Sequence, residues 1–140
     1  MVTRPTPARA RGYAIPDWVP RGRPMPVICG VHFDAIRVPE DLGPLALQQL
    51  GQRSGPVVAN RFAAFWAFLI ECDSASLWEV PRTRLLRPGT LLALPPLNAP
   101  EGRDMHWAVS PDADWPDLQD LRQALTAPLP TALAPRRIGA

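Results

Sequence analysis

Hydrophobic and polar positions divide the chain into a strand-rich middle and a helical end. Between residues 27 and 109, short apolar runs alternate with Gly and Pro, a pattern typical of strands and turns. We predict strands at 27–38, 57–59, 62–70, 84–86, 90–94 and 105–109. Pro88 and Gly89 suit the two central positions of a type II turn, so we expect the strands on either side of them to form a hairpin.

The first helix is expected immediately after the strand at 27–38, which Pro39 ends. Asp41 is placed to cap this helix, and Pro44 is tolerated in a first turn. Gly51 is a suitable stop. The positions that share its apolar face are Leu42, Leu45, Ala46, Gln49 and Leu50.

A second helix is predicted near the end of the chain. Leu118, Leu121 and Leu125 recur at intervals of three and four, after Pro116 and before Pro128. The predicted fold class is therefore α+β: a small, mostly antiparallel sheet with two or more packed helices. The residues expected to be largely buried are Phe33, Ile36, Val38, Leu45, Leu94, Trp107, Leu121 and Leu125.

The chain of 140 residues is long enough for one domain with a single core. Residues 1–26 are predicted to be a Pro- and Arg-rich arm, since six prolines there disfavour regular helix or sheet. A short stretch of this arm could still dock onto the body through Tyr13, Ile15, Trp18 and Val19. The domain itself is expected at 27–127, and residues 128–140 are expected to be a loose tail.

Charge gives two interpretations of the arm. The net charge of +2 is too small to imply nucleic-acid binding by itself, and all 15 basic residues are arginine. Five of them lie in the arm: Arg4, Arg9, Arg11, Arg21 and Arg23. They favour either a basic arm lying on an anionic partner such as nucleic acid, or a solvated tail.

Cysteine usage and hydropathy bear on the compartment. Cys29 and Cys72 lie in apolar runs without CxxC spacing, which predicts reduced thiols rather than a disulfide. The longest apolar run, 62–70, is too short to span a bilayer, and no apolar signal segment is visible. We expect a cytoplasmic protein that does not bind membranes.

Several side chains are candidates for chemistry. His32 and Asp34 alternate on a strand and could hold a metal with His106, although such a trio also arises by chance. Asp34 could instead pair with Arg37 or an arm arginine. Cys72 could be a nucleophile or an ordinary loop cysteine. The aromatic run Phe62, Phe65, Trp66 and Phe68 could stack bases or belong to the core. The residues of the candidate cleft are His32, Asp34, Arg37, Glu40 and Trp66.

The order of these elements and several short motifs resemble a known family. The motif residues are Phe33, Asp34, Ala35, Ile36, Arg37, Val38, Pro39 and Glu40, then Gly55, Pro56 and Val57, and finally Gly89, Leu94, Pro95, Pro96, Gly102 and Trp107. Over residues 27–127 the chain resembles bifunctional DNA primase/polymerase domains of the archaeo-eukaryotic primase superfamily, in particular divergent actinobacterial members, in which the first strand is of the type FDALDVPE.

The resemblance implies template-directed nucleotide polymerisation with Mg²⁺ or Mn²⁺ held by alternating acids on this strand. At the matching positions the chain carries Arg37 and Pro39, so we assign no catalytic residue, no metal site and no cofactor. The predicted function is a noncatalytic binding or interaction module, whose partner is nucleic acid or a protein. The alternative is an active nucleotidyltransferase that uses Asp34, Glu40 or Asp41 with Mg²⁺ or Mn²⁺. A cluster of these acids with His32 would favour the enzyme, and a cleft lined by Arg37 and apolar residues would favour the module.

Overall fold

The computed structural model describes residues 15–75, 77–99 and 104–126. Within these ranges the chain forms seven strands, two helices and a 3-10 turn, Gly51–Arg53. In chain order they are β1 Met25–Ile28, β2 Asp34–Pro39, α1 Gly43–Leu50, β3 Val57–Asn60, β4 Phe65–Ile70, β5 Arg84–Leu86, β6 Leu91–Leu94, β7 Met105–Val109 and α2 Leu118–Thr126.

The strands form two antiparallel sheets. The larger has five strands in the order β5-β2-β4-β3-β7, and the smaller pairs β1 with β6. The α+β fold class is therefore confirmed, although the strands belong to two sheets rather than one. β2 and β4 are central and pair along their whole length, from Asp34 opposite Ile70 to Pro39 opposite Phe65.

The prediction of a single strand over 27–38 is wrong, because the chain turns between β1 and β2. Gly30 has a φ of 97°, which favours glycine, and its N–H donates to the carbonyl of Phe33 at 2.8 Å. A Cβ at position 30 would also lie 2.6 Å from the Cβ of Pro88. This close approach separates the apolar run into two strands of different sheets.

The predicted hairpin is also wrong, although its turn is present. Thr90 donates its N–H to the carbonyl of Arg87 at 3.0 Å, and Gly89 has a φ of 96°, as the third residue of a type II turn requires. The turn then bonds to Cys29 on both sides, and the strands it joins diverge: β5 pairs with β2, whereas β6 pairs with β1. The turn therefore carries the chain from one sheet to the other.

Alternation along β2 and β4 creates a core on each face of the large sheet. On one face, Ile36, Val38 and Phe68 pack against α1 and α2. On the other, Ala35 and Leu69 pack under the small sheet. Six of the eight residues expected in the core are buried, namely Phe33, Ile36, Val38, Leu94, Leu121 and Leu125, and Leu45 and Trp107 are half-buried.

Part of the predicted arm is joined to the body. The ring of Trp18 lies 4.9 Å from that of Phe33, Val19 is buried, and β1 begins at Met25, inside the segment where no regular structure was expected. Arg21 and Arg23 are exposed. The other arm arginines, Arg4, Arg9 and Arg11, lie outside the described residues, as do residues 128–140 and the predicted helix stop at Pro128.

Candidate functional site

Arg37 projects from the face of the large sheet opposite the two helices. Side chains alternate along a strand, so Asp34 and Arg37, three positions apart, point to opposite faces of β2. The suggested pairing of Asp34 with Arg37 is therefore wrong. The guanidinium carbon of Arg37 instead lies 4.3 Å from the centre of the Phe65 ring, a cation–π contact.

A cavity of about 260 Å³ lies beside this contact. We name it the arginine pocket; its walls are Arg37, Pro39, Ala64, Phe65, Arg82 and Arg84. Arg37 is directly opposite Arg84 in the β2–β5 register, which places two cationic side chains next to each other on one face. Like charges in this position destabilise a sheet unless an anion compensates them.

Arg82 differs from the other two pocket arginines because it has an ionic partner. Its Nη2 donates to both carboxylate oxygens of Asp41, at 2.8 and 3.0 Å. Asp41 therefore does not cap α1 as predicted: the N-cap residue is Leu42, and no side chain bonds to the first turn. In the described part of the chain, no ion pair includes Arg37 or Arg84.

The acids that could replace the missing metal ligands lie apart. Asp34 is buried, accepts a hydrogen bond from the N–H of Asp73, and has no partner for Oδ1 among the described residues. Glu40 lies 3.9 Å from Arg61, and Asp41 holds Arg82. Across the described ranges, no group of three or more His, Cys, Asp or Glu residues is arranged to hold a metal ion.

The five residues of the candidate cleft do not share one cavity. Of them, Arg37 alone is among the described residues that line the arginine pocket. His32 is exposed and its ring lies 6.3 Å from that of Trp18, whereas Trp66 packs in the helix-side core against Gly43. His106 is on β7, at the far edge of the large sheet from β5.

The aromatic run divides between core and surface. Phe68 and Trp66 belong to the helix-side core, Phe65 walls the arginine pocket, and Phe62 lies in the β3–β4 turn with 84% of its surface exposed. Phe62 contributes to a second cavity of about 420 Å³ together with Met105, Asn98 and other residues. The lining described for that cavity contains Asp104 and no arginine.

Both cysteines are free, as predicted. Burial, followed by the nearby Asp34 and Cys72, raises the pKa of the Cys29 thiol to about 11. Burial and neighbouring acids, first of all Asp34, also raise the pKa of Cys72. The thiolate is the reactive form of cysteine, and an activated nucleophile has a lowered pKa. Since both pKa values are raised, neither cysteine is activated in this way.

Sequence reasoning singled out Arg37 but missed Arg82 and Arg84. Arg84 becomes relevant only through the β2–β5 register, which joins residues 47 positions apart. The available signal was the Arg-Thr-Arg spacing at 82–84, which places two arginines on one side of an extended segment.

The described residues include no helix that is long and apolar enough to cross a membrane. Comparison of the chain with protein-family models, with curated proteins and with solved structures gave no match in any of the three.

Proposed function

We propose that this protein is a noncatalytic binding module, with a degenerate primase/polymerase-like domain, that binds the phosphate groups of nucleic acid in the arginine pocket. The observation that carries the proposal is the placement of Arg37 directly opposite Arg84, beside Arg82 and against Phe65. A cleft lined by Arg37 and apolar residues was expected to favour a binding module over an enzyme, and the arginine pocket supports that choice with two further arginines.

Electrostatics favours an anionic ligand at this point. Arg37 and Arg84 are cross-strand neighbours, and in the described ranges neither belongs to an ion pair. Guanidinium groups are planar, permanently charged and matched to the oxygens of phosphate, with which they form paired hydrogen bonds. A phosphate between the two arginines would replace a repulsion with two charge-assisted contacts.

The positions that line the pocket also explain how metal chemistry could have been replaced. In the primase/polymerase family that the chain resembles, metal-binding acids stand at the positions of Arg37 and Pro39. Both residues line the arginine pocket. A hard cation there would bridge acids to phosphate, since Mg²⁺ and Mn²⁺ require oxygen ligands. Arginine can bind the phosphate directly, so binding does not require the metal. It cannot replace the metal in group transfer, because the metal ion activates the reacting oxygens.

Two further features favour a nucleic acid over an isolated phosphate. Phe65 gives the pocket an aromatic wall, and aromatic rings beside cationic grooves are the usual means of holding single strands. Arg21 and Arg23 are exposed, and exposed arginines can neutralise a backbone that carries a charge at every nucleotide.

The test is to titrate a short labelled oligothymidylate with the full chain at two salt concentrations, following fluorescence anisotropy. Arg37→Ala and Arg84→Ala, singly and together, are expected to weaken binding and to reduce the salt slope by about 0.7 for each phosphate that is no longer neutralised. The matched control is Arg53→Ala, which removes one positive charge just beyond the end of α1, where Arg53 pairs with Asp120. Equal reductions in affinity for Arg84→Ala and Arg53→Ala would contradict the proposal.

A further inference from the structure

One of the three pocket arginines is already occupied by an anion of the protein itself. Arg82 donates from Nη2 to Oδ1 and Oδ2 of Asp41 at 2.8 and 3.0 Å, across 41 positions of sequence. Arg82 lies just before β5 and has a φ of 70°, and Asp41 lies in the turn between β2 and α1. The pair therefore joins the two loops, and of its two residues Arg82 lines the arginine pocket.

The contact reproduces what a phosphate would make. A carboxylate that accepts hydrogen bonds from a guanidinium uses its two oxygens as two phosphate oxygens would be used. The hydrogen bond from Arg82, ahead of the charge of Arg82, lowers the pKa of the Asp41 carboxyl below its ordinary value, which favours the anion further. In the part of the chain described, the other two pocket arginines have no such partner.

The pair is also accessible to exchange. The side chain of Asp41 is 61% exposed and that of Arg82 is 45% exposed, so water and ligand can reach both. Exposed ion pairs are weak, so a stronger anion can displace one partner readily. Asp41 has no capping role that would hold it in place, because no side chain bonds to the first turn of α1.

We propose that Asp41 is the resident counter-anion of Arg82 and that the phosphate of a nucleic acid bound in the arginine pocket displaces it from Arg82. This inference rests on the proposed function and adds a specific role for Asp41. Asp41 lowers the affinity of the pocket, because each binding event must break the Asp41–Arg82 pair. It also keeps Arg82 neutralised while the pocket is empty, beside two arginines that already repel each other.

The experiment compares oligothymidylate binding at low salt to the unmodified full chain, to the single variants Asp41→Asn, Glu40→Gln and Arg82→Ala, and to the double variant that combines Asp41→Asn with Arg82→Ala. Asp41→Asn is expected to tighten binding by about two- to fivefold, the range that corresponds to an exposed ion pair. Glu40→Gln removes the same charge one residue away, from a carboxylate that faces Arg61, and is expected to give a smaller gain. In the Arg82→Ala background, Asp41→Asn is expected to give no gain beyond that of Glu40→Gln.

The outcomes separate displacement from its alternatives. If the Asp41–Arg82 pair only stabilises the fold, Asp41→Asn would lower the urea midpoint and leave the affinity for oligothymidylate unchanged or weaker. That result would overturn the inference. Equal gains for Asp41→Asn and Glu40→Gln, or a full gain retained in Arg82→Ala, would reduce Asp41 to a general electrostatic effect and also overturn it. If Arg37→Ala weakens binding but Asp41→Asn does not tighten it, the proposed function survives and the inference fails. If neither the unmodified chain nor Asp41→Asn binds, both fail.

Discussion

The carboxylate of Asp34 accepts a hydrogen bond of 3.0 Å from the backbone N–H of Asp73, 39 positions later. Asp34 begins β2 opposite Ile70, so this bond joins the start of one central strand to the loop that follows the other. Asp34 is 6% exposed, and no arginine is bonded to it among the described residues. Its geometry is that of a residue that orders a loop.

Replacing Asp34 should therefore lower the stability of the fold. Asp34→Ala leaves the partly buried N–H of Asp73 without its acceptor, and we expect the free energy of unfolding to fall by about 1–3 kcal/mol. Urea unfolding followed by circular dichroism measures the change, with Asp17→Ala as the control because Asp17 is exposed. An unchanged midpoint for Asp34→Ala would show that the bond to Asp73 is not stabilising.

A second prediction concerns the contact between α1 and β4. Gly43 begins α1, and a Cβ at this position would lie 2.6 Å from Cγ and Cδ2 of Trp66. Alanine would favour the helix by about 1 kcal/mol, but overpacking typically costs about 1–3 kcal/mol, so we expect Gly43→Ala to be destabilising overall. Gln48→Ala, at an exposed position of the same helix, should be neutral or slightly stabilising. The urea midpoints of the two variants give the comparison, and a more stable Gly43→Ala would refute the close contact.

The sequence allowed most elements to be predicted but not their partners. α1, α2 and β7 follow from local spacing and from end signals such as Gly51, which has a φ of 60° at the end of α1. The two errors of topology, at Gly30 and at Gly89, have one cause: strand pairing is chosen by distant residues. Cys29 bonds to Thr90 and Gly89, and no local pattern encodes that contact.

The same limit applies to the candidate site. Arg37 was identified because it stands where an acid was expected, which is a local observation. Arg84 and Arg82 join it only once β5 pairs with β2. Asp41 was predicted to cap α1, but the N-cap position is Leu42. The arginine pocket could therefore not be assembled before the register was known.

A third prediction concerns thiol reactivity. The pKa of Cys29 is raised to about 11, so at pH 8 almost all of this thiol is protonated and unreactive, and the thiolate increases only as the pH approaches 11. In the folded protein, iodoacetamide should modify the half-buried Cys72 faster than the buried Cys29. Peptide mass spectrometry after timed labelling gives both rates, and labelling in urea is the control, where the two should be equal. Faster labelling of Cys29 in the folded protein would contradict its burial.

A fourth prediction separates the arm from the arginine pocket. A chain that begins at Pro24 would lack the arm but also Trp18, whose ring packs 4.9 Å from that of Phe33. Substitution of the arm arginines in the full chain avoids that loss. Replacing Arg4, Arg9 and Arg11 by Gln in the full chain should reduce the salt slope of oligothymidylate binding by about 0.7 for each phosphate that these arginines neutralise. An unchanged salt slope would show that these three arginines do not contact the nucleic acid and that the rest of the protein binds it.

The last prediction is that the purified chain does not extend primers or synthesise RNA or DNA with Mg²⁺ or Mn²⁺. Nucleotidyl transfer needs carboxylates that hold the metal against the triphosphate, and Arg37 and Pro39 stand where the resemblance to primase/polymerase domains predicts such acids. The three alternative acids each have another partner: Asp41 holds Arg82, Glu40 lies 3.9 Å from Arg61, and Asp34 bonds to Asp73 from the other face of β2.

The measurement is incorporation of a labelled nucleotide into a primed template, with an active polymerase as the positive control and a chain-free reaction as the background. We expect the chain to remain at background with either metal, because an arginine in place of a metal ligand repels the cation that the reaction requires. Incorporation above background that is abolished by Asp34→Ala would contradict the prediction and support the alternative function, a metal-dependent nucleotidyltransferase that uses Asp34.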